Sequence, residues 1–556
     1  MDYPLRSLKS DCRTCYKCIR HCPVKAISFH DGQAHIEQSE CLYCGSCYET
    51  CPSHAKVIRD DKPRLDELLK EGECYASIAP SFRAAFPRVS FASLQSALRQ
   101  LGFQDVEETS RGARFVSKAY EEILPNYDVL LSSACPSVNL LLERHYADLL
   151  PCLAPVFTPL EAHCLDIKKR HPKAKTVFFG PCIAKKEEAD RQNNSLDLAL
   201  TFLDLEALLQ ENHLVLQEEQ EPQGPLERLY PEEGGILATM QKEEPGYRYL
   251  ALSGVETIIE ALEEIRAGKL HHVFLELSAC RGSCLNGPAM PNRKAGAVES
   301  KILLEEFGGQ GHFDSKEYRA KDIRKDFNCF HGHKPSFSED QIQEVLERMG
   351  KHNKQDELNC ACCGYSSCRE KAIAVLEGKA QVEMCLPYLM EKAKSVSAHI
   401  YENSPNGILT ASKEWKIELA NQAAEKLFGI SKETMLGKDL SELIPMELIA
   451  DAVEKGRAEN KKLNLESGKV VEATVLFSEK YGTLMAILHD RTEREAEHQA
   501  NLKRRKEATS LANEVIEKNM AAVQQIAQLL GESAAETKIA LTRLEASLSP
   551  KEDHGK

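Results

Sequence analysis

The sequence predicts a multidomain protein that combines α+β and α/β architecture with two cysteine-rich segments and a long C-terminal helix. Three observations support this prediction. The chain has 556 residues, several times the usual length of one domain. Its 21 cysteines are clustered, and residues 386–556 contain none. Between residues 70 and 330, apolar strand-like runs alternate with amphipathic helical patterns, which is typical of an α/β domain.

The charge and the apolar runs limit the class of partner and the compartment. The net charge is -14, which disfavours nucleic acid or an anionic membrane as the main partner. The first residues contain no apolar signal segment, and no run approaches the roughly 18 apolar residues of a membrane span. We therefore expect a cytoplasmic protein whose cysteines bind metal rather than form disulfides.

Two segments near the N-terminus repeat one cysteine spacing. Residues 12–23 and 41–52 both read C-x2-C-x2-C-x3-C-P. In two-cluster ferredoxins this spacing makes the fourth cysteine of each run a ligand of the other run's [4Fe–4S] cluster. Residues 1–60 are therefore predicted to form an electron-transfer domain of this type, with a zinc ribbon as the alternative. The predicted ligands are Cys12, Cys15, Cys18 and Cys51 for one cluster, and Cys41, Cys44, Cys47 and Cys22 for the other.

A third cysteine motif lies between residues 360 and 385. Its spacing is C-x2-C-x4-C-x16-C, through Cys360, Cys363, Cys368 and Cys385. Apolar positions between the third and fourth cysteines, extending to Ala380, indicate a helix that closes the loop. The segment resembles a small iron–sulfur domain of electron-bifurcating and corrinoid-linked anaerobic proteins. We expect a further [4Fe–4S] cluster in a domain spanning 335–393, with zinc as the alternative metal.

The region 70–330 contains three separated cysteine motifs. They are LSSACPSV with Cys135, FFGPCIAKKEEADR with Cys182, and FLELSACRGSCLNGP with Cys280 and Cys284. The second and third follow strand-like runs, so their cysteines are expected at the carboxyl ends of strands, where α/β domains place ligands. The spacing shows that four thiolates can converge on one site, but it leaves the kind of cluster open.

These three motifs resemble the signature loops of the [FeFe]-hydrogenase catalytic domain. The resemblance implies that Cys135, Cys182, Cys280 and Cys284 hold the [4Fe–4S] part of an H-cluster. It also implies that Cys284 bridges to a diiron subsite carrying CO and CN ligands, and that Lys185 hydrogen-bonds a cyanide, as an ammonium donor suits an anion. Cys284 and Lys185 are the expected catalytic residues.

The chain departs from the family pattern where protons would move. Ala134 stands where active members have a proton-relaying cysteine, and a methyl group cannot relay a proton. The acidic relay stretch of the family aligns with Lys118, Ala119 and Tyr120, while Gly180 replaces a methionine and Pro288 a glycine. Because general acid–base assistance contributes about 10²–10⁴-fold, the pattern predicts slow turnover. It resembles the sensory type of the family.

The C-terminal third contains two further elements. Residues 399–445 and 469–494 resemble a PAS domain, and we place its bounds at 394–495, with Asn421 in its first core helix. Residues 496–556 form a predicted signalling and dimerisation helix, because apolar residues from Ile516 to Leu548 alternate at spacings of four and three.

Together these features predict a cytoplasmic H2 or redox sensor. It would carry an H-cluster and three [4Fe–4S] clusters, exchange electrons with a ferredoxin-like partner, and form a homodimer. Because no kinase core or DNA-reading element is recognisable, the output would pass to a separate signalling protein, such as a serine/threonine kinase or phosphatase. The alternatives are a catalytically competent ferredoxin-linked hydrogenase and an electron-transfer protein without the diiron subsite.

Overall fold

The structure is a computed structural model that describes residues 3–8, 11–191, 195–219, 221–291, 297–314, 318–330 and 335–495. The chain divides into two compact units, Met1–Val382 and Glu383–Lys556. All 21 cysteines lie within the described residues, and no two of them form a disulfide. Among the described residues, no helix is both long enough and apolar enough to cross a membrane.

The N-terminal domain has two short antiparallel strand pairs, and each cysteine run leads into a helix of five residues. Strand β1 pairs with β4, and β2 pairs with β3. The residue before each helix, Tyr16 or Gly45, has a positive φ, so the two runs share the same local turn. The elements are β1 (Leu5–Ser7), α1 (Lys17–His21), β2 (Ile27–His30), β3 (Gln33–Ile36), α2 (Ser46–Thr50) and β4 (Lys56–Ile58).

The central domain contains two parallel sheets with helices packed around them. The first sheet has four strands in the order β6-β5-β8-β9, and the second has three in the order β10-β11-β7. The parallel strands and intervening helices confirm the predicted α/β class. The first half comprises α3 (Lys62–Glu71), β5 (Cys74–Ile78), α4 (Phe82–Ala85), α5 (Phe91–Gln100), β6 (Asp105–Glu108), α6 (Ser110–Ile123), β7 (Val129–Leu131), α7 (Pro136–His145) and α8 (Pro159–Arg170).

The second half of the domain returns to both sheets. Its elements are β8 (Lys175–Gly180), α9 (Ala184–Asp190), β9 (Leu198–Thr201), α10 (Phe202–Glu211), α11 (Gly235–Thr239), β10 (Arg248–Ser253), α12 (Val255–Arg266), β11 (Val273–Ser278) and α13 (Ala297–Phe307). Strands β8 and β11 are the two runs that the sequence placed before the second and third cysteine motifs. Helices α6 and α8 pack closely because Gly112 has no side chain: a Cβ there would lie 1.9 Å from the Pro159 carbonyl oxygen.

The third cysteine motif follows α14 (Glu339–Arg348) and contains α15 (Cys368–Leu376). Helix α15 begins at Cys368 behind Ser367, whose side chain accepts a hydrogen bond from the backbone N–H of Glu370. The helix ends at Leu376, so the prediction that it extends to Ala380 is wrong. Gly378, with a φ of 76°, turns the chain before Ala380.

The second unit contains a five-stranded antiparallel sheet in the order β13-β12-β16-β15-β14. Buried apolar side chains of the sheet and its helices, among them Leu409, Ile449 and Leu484, form one core. The elements are α16 (Leu386–Asn403), β12 (Gly407–Ala411), β13 (Ile417–Ala420), α17 (Gln422–Phe428), α18 (Lys432–Met435), α19 (Met446–Lys455), β14 (Arg457–Asn464), β15 (Val470–Ser478) and β16 (Thr483–Asp490). The predicted helix at 496–556 lies outside the described residues.

Candidate functional site

A cavity of about 120 Å³ lies in the central domain, lined mainly by apolar surface and by the predicted cofactor residues. Cys135 follows β7 and is the N-cap of α7, while Cys182 lies between β8 and α9. Cys280 and Cys284 follow β11. Because β7 and β11 belong to one sheet and β8 to the other, the cavity collects residues from the carboxyl ends of both sheets.

The four predicted ligands line this cavity together. Burial, followed by the charges of the neighbouring Cys135 and Cys284, raises the pKa of the Cys182 thiol to about 12. Burial, followed by the charge of Cys135, likewise raises the pKa of Cys284 to about 12. The pKa of Cys280 is raised by burial and by the other three thiols. Burial by itself disfavours thiolates at these positions, whereas a bound cationic cluster would deprotonate them.

The donor set therefore fits an iron–sulfur group. Cys₄ ligation holds a [4Fe–4S] cluster with one cysteine on each iron. Here four thiols from three chain segments face one cavity whose wall is otherwise largely apolar. Among the described residues, no three His, Cys, Asp or Glu side chains are close enough to hold a single metal ion.

Lys185 lines the same cavity from α9. Its ammonium donates to Thr158 Oγ1 at 3.1 Å and to Glu188 Oε2 at 2.6 Å. Burial opposes the charged form, but the Glu188 carboxylate more than compensates, and the pKa of Lys185 is raised. An ammonium has three N–H donors, so Lys185 can give one more hydrogen bond to an anion in the cavity.

Ala134 presents its methyl group to the cavity directly beside Cys135. Gly180, another departure from the family pattern, precedes the lining residues Pro181 and Cys182 but is not itself among them. A Cβ on Gly180 would come within 2.3 Å of Phe178 Cζ, so the Phe178 ring occupies the space a larger residue at 180 would need. Pro288 lines the cavity as well. Two of the residues that depart from the family pattern, Ala134 and Pro288, therefore lie in the cavity wall.

The residues that align with the family's acidic relay stretch, Lys118, Ala119 and Tyr120, do not line the cavity. Helix α6 contributes Ser110 and Ala113 to the lining. Tyr120 is fully buried, and its hydroxyl accepts a hydrogen bond from the backbone N–H of Ser133 at 2.9 Å. Tyr120 therefore supports the strand that leads to Ala134 and Cys135.

The N-terminal cysteines form two groups, each drawing its fourth member from the other run. Cys22 lies near Cys44, and burial followed by the charge of Cys44 raises the pKa of Cys22 to about 12. The charges of Cys41, Cys22 and Cys44 act on Cys47. We name Cys22, Cys41, Cys44 and Cys47 the inner set, and Cys12, Cys15, Cys18 and Cys51, which line a second small pocket, the outer set.

Equivalent backbone donors point at the crossing cysteine of each set. The Ala26 N–H donates to Cys22 Sγ at 3.3 Å, and the Ala55 N–H donates to Cys51 Sγ at 3.3 Å. Hydrogen bonds to cluster sulfurs are one determinant of cluster potential. The repeat of the sequence is therefore also a repeat of the ligand environment.

The inner set lies beside the central cavity. Tyr43 and Cys44 contribute to its lining, and the charge of Cys44 acts on Cys280. Gly45 contacts Pro288 so closely that a Cβ on it would lie 2.3 Å from Pro288 Cβ. Sequence reasoning missed this junction, since nothing in the local sequence around Cys44 indicates a contact with residue 288.

Glu276 is a second cavity residue that the sequence reasoning missed. It is buried on β11, and burial raises its pKa to about 7, although it accepts hydrogen bonds from the N–H groups of Gly234 and Leu237. An acidic residue within the apolar run VFLELS was the available signal, because a buried carboxyl requires a partner or a function.

In the third motif, Cys360 is exposed, and Cys363 and Cys368 are partly buried. Cys385 is buried and is the N-cap residue of α16. Cys362 is exposed, and its pKa is raised first by a hydrogen bond with Cys360. The unassigned Cys74 and Cys164 are fully buried in the core, which suits packing residues.

The fold and the cysteine sets define a multidomain iron–sulfur protein with a cofactor cavity between two parallel sheets. Comparison with known families gives four matches. Residues 72–288 match the iron-only hydrogenase large subunit, C-terminal domain, and residues 5–52 a 4Fe-4S dicluster domain. Residues 356–387 match an Fe–S cluster family and residues 398–482 the PAS fold. Residues 72–288 are therefore similar to that hydrogenase domain, and the chain is a hydrogenase-like iron–sulfur protein with a PAS domain.

Individual relatives are distant. The chain is 26% identical to the periplasmic [Fe] hydrogenase large subunit of Nitratidesulfovibrio vulgaris, over 51% of this chain and 85% of that protein. It is 22% identical to iron hydrogenase 1 of Clostridium pasteurianum, over 45% of this chain and half of that protein. A solved [FeFe]-hydrogenase from Chlamydomonas reinhardtii shares 18% identity, with a TM-score of 0.37, over 47% of this chain and 91% of the other.

Proposed function

We propose that this protein senses H2 or redox state with a hydrogenase-type cofactor that turns over slowly. One observation carries the proposal. The cavity keeps all four predicted ligands and Lys185, while the residue beside Cys135, which faces the same cavity, is Ala134. A site that retains its cofactor ligands and lacks a proton-holding side chain is suited to binding and reporting rather than to rapid turnover.

An H-cluster, when bound, supplies reversible exchange between H2 and protons plus electrons. In this chain Cys135, Cys182, Cys280 and Cys284 would hold it, and Lys185 would donate a hydrogen bond to an anionic ligand. Ala134 can neither accept nor donate a proton at that position. Loss of general acid–base assistance is worth about 10²–10⁴-fold in rate.

The route to an output begins at the third motif. Helix α16 starts directly after the predicted ligand Cys385 and runs for 18 residues to the PAS sheet. Its last turn is held by the PAS core, because Asn421 Nδ2 donates to the Tyr401 carbonyl at 2.9 Å and Lys432 pairs with Glu402 at 2.6 Å. We propose that charge at the third motif is passed along this helix to the PAS domain.

The output is proposed to leave through residues 496–556. We propose that this segment joins a homodimer and contacts a separate signalling protein, such as a serine/threonine kinase or phosphatase. Deletion of 496–556 should remove the partner response and leave the iron content unchanged. Loss of iron on that deletion would contradict the modular arrangement.

The central test restores a thiol at position 134. We expect infrared bands of CO and CN in the matured wild type, a change in those bands under H2 against argon, and little H2 evolution. Ala134→Cys should raise H2 evolution by about 10²-fold or more. Ala113→Cys is the matched control, since it also places a thiol in the cavity wall but away from the ligand.

Two results would replace the proposal. Wild-type turnover as fast as that of ordinary hydrogenases, which Ala134→Cys does not increase, would show a competent ferredoxin-linked hydrogenase. Iron content confined to [4Fe–4S] clusters, with no CO or CN bands after maturation, would leave an electron-transfer protein without the diiron subsite.

A further inference from the structure

The loop of the third motif packs on the N-terminal domain beside the inner set. Lys25, three residues after Cys22, donates from Nζ to the Gly364 carbonyl at 3.1 Å. The same ammonium donates to the carbonyls of Ile19 and Arg20 at 3.2 Å each. Lys25 therefore joins the end of α1 to the loop between Cys363 and Cys368.

Further contacts fix the orientation of this loop. Arg20 donates to the Cys362 carbonyl at 3.2 Å. Gly364 has a φ of 94°, and a Cβ on it would lie 3.0 Å from the Ile19 side chain. Because another residue here would combine an unfavourable backbone conformation with a tight contact, the loop is shaped for close approach to the first cysteine run.

A second group of contacts is made by residues that follow α15 in the chain. The Phe29 N–H donates to the Lys379 carbonyl at 2.7 Å. Lys379 also pairs with Glu40 at 2.8 Å, one residue before Cys41 of the inner set. The third motif thus touches the N-terminal domain next to both Cys22 and Cys41.

The charges of these groups act on one another. Burial lowers the pKa of Lys25, while the charges of Cys22, Glu370 and Cys363 act in the opposite direction. Lys25 therefore lies close to both Cys22 and Cys363, as its hydrogen bond to the Gly364 carbonyl also shows.

From these contacts we propose that the inner set is the branch point of the electron path and that Lys25 is the positioning residue that connects it to the third motif. The inner set would exchange electrons with the cavity on the Cys44 side and with the third motif on the Cys22 side. The outer set would be a side branch, since none of its four cysteines lines the central cavity, whereas Cys44 of the inner set does.

Electron transfer along this path forms and breaks no bond and moves no proton. One electron leaving the reduced inner-set cluster oxidises it by one equivalent and reduces the third-motif cluster by one. In the proposed sensor the electrons come from H2, whose two protons are released at the cavity. This proposal rests on the proposed function. It adds the path by which a change in the redox state of the cofactor would reach the helix that enters the PAS domain.

The test uses the full chain loaded with [4Fe–4S] clusters, without diiron maturation, and reduced by dithionite. Electron paramagnetic resonance should show splitting of the inner-set signal by a neighbouring reduced cluster. Cys363→Ser should remove the part of that splitting that comes from the third motif, while the parts that come from the cavity and outer-set clusters remain, and Cys12→Ser identifies the outer-set signal by removing it. Since no diiron subsite is present, a negative result here is distinguishable from failure of H2 sensing.

Lys25→Gln keeps every cysteine and tests the same contact if Cys363→Ser loses its fold. We expect a weaker splitting and a lower reduction potential of the inner-set cluster, since a cation near a cluster favours its reduced, more negative state. Lys70→Gln, at an exposed lysine of α3, should change neither. An unchanged inner-set signal in Cys363→Ser and in Lys25→Gln, or a change confined to the outer-set signal, would overturn the proposal.

Discussion

Asn421→Ala should destabilise the PAS domain strongly, because one buried side chain makes four hydrogen bonds there. Asn421 Oδ1 accepts from the N–H of Ile408 at 2.8 Å and from the N–H of Ala424 at 3.0 Å. Its Nδ2 donates to the carbonyls of Tyr401 and Asn406 at 2.9 Å each. The residue is therefore at once the N-cap of α17 and the link between α16 and the sheet.

The expected loss follows from these bonds. Removing the N-cap costs about 1 kcal/mol. Leaving the buried Ile408 N–H unsatisfied costs about 1–3 kcal/mol, and the two carbonyl bonds contribute about 0.5–1.5 kcal/mol each. The sum is about 5 kcal/mol. With a urea m-value of about 1.5 kcal/mol/M for a domain of this size, the midpoint should fall by roughly 3 M.

The chain provides a local probe for this measurement. Trp415 is its only tryptophan and packs against the PAS core. Its fluorescence in urea therefore reports the PAS transition of the full-length protein. Asn403→Ala, an exposed asparagine on α16 that bonds to its own helix, should change stability by less than about 0.5 kcal/mol. A loss below about 1 kcal/mol for Asn421→Ala would refute the assignment of this side chain as the link.

Two further predictions concern buried charges of the central domain. Glu276 has a pKa of about 7 when folded, against about 4.5 unfolded, so its contribution is full below about pH 4.5 and is lost as the pH rises through 7. The free energy of unfolding should therefore fall by about 3 kcal/mol as the pH rises, and Glu276→Gln should remove this pH dependence. Unfolding measured between pH 5 and 8 checks this, and an unchanged pH slope in the variant would contradict the burial argument. Lys186 is fully buried between Asp61 and Asp204 at 3.0 Å each, so Lys186→Met should cost about 3 kcal/mol. Thermal unfolding checks this, with exposed Lys70→Met as control, and equal melting temperatures for both variants would exclude it.

Much of the local structure could be predicted from the sequence. The runs before Cys182 and Cys280 form strands β8 and β11, and the amphipathic pattern after Gly254 forms α12. Asn421 begins the first core helix of the PAS domain. These features depend on residue periodicity and capping, which are properties of neighbouring residues.

The third motif shows where local prediction ends. The helix after Cys368 was predicted, but its end at Leu376 depends on the turn at Gly378. The Lys25 contact joins residues 339 positions apart, and no local pattern indicates it. The same is true of Gly45 and Pro288, whose close approach requires two domains to pack.

The amino-acid order alone determined which thiols are grouped by spacing, where strands and helices begin, and that residue 134 carries only a methyl group. Those properties depend on covalent identity and on neighbours a few positions away. Tertiary packing decided that two sheets, rather than one, supply the cavity, that the inner set lies beside it, and that Glu276 is buried in its wall. The reason is that burial and electrostatic environment arise from contacts between distant segments, and these exist only once the whole chain has folded.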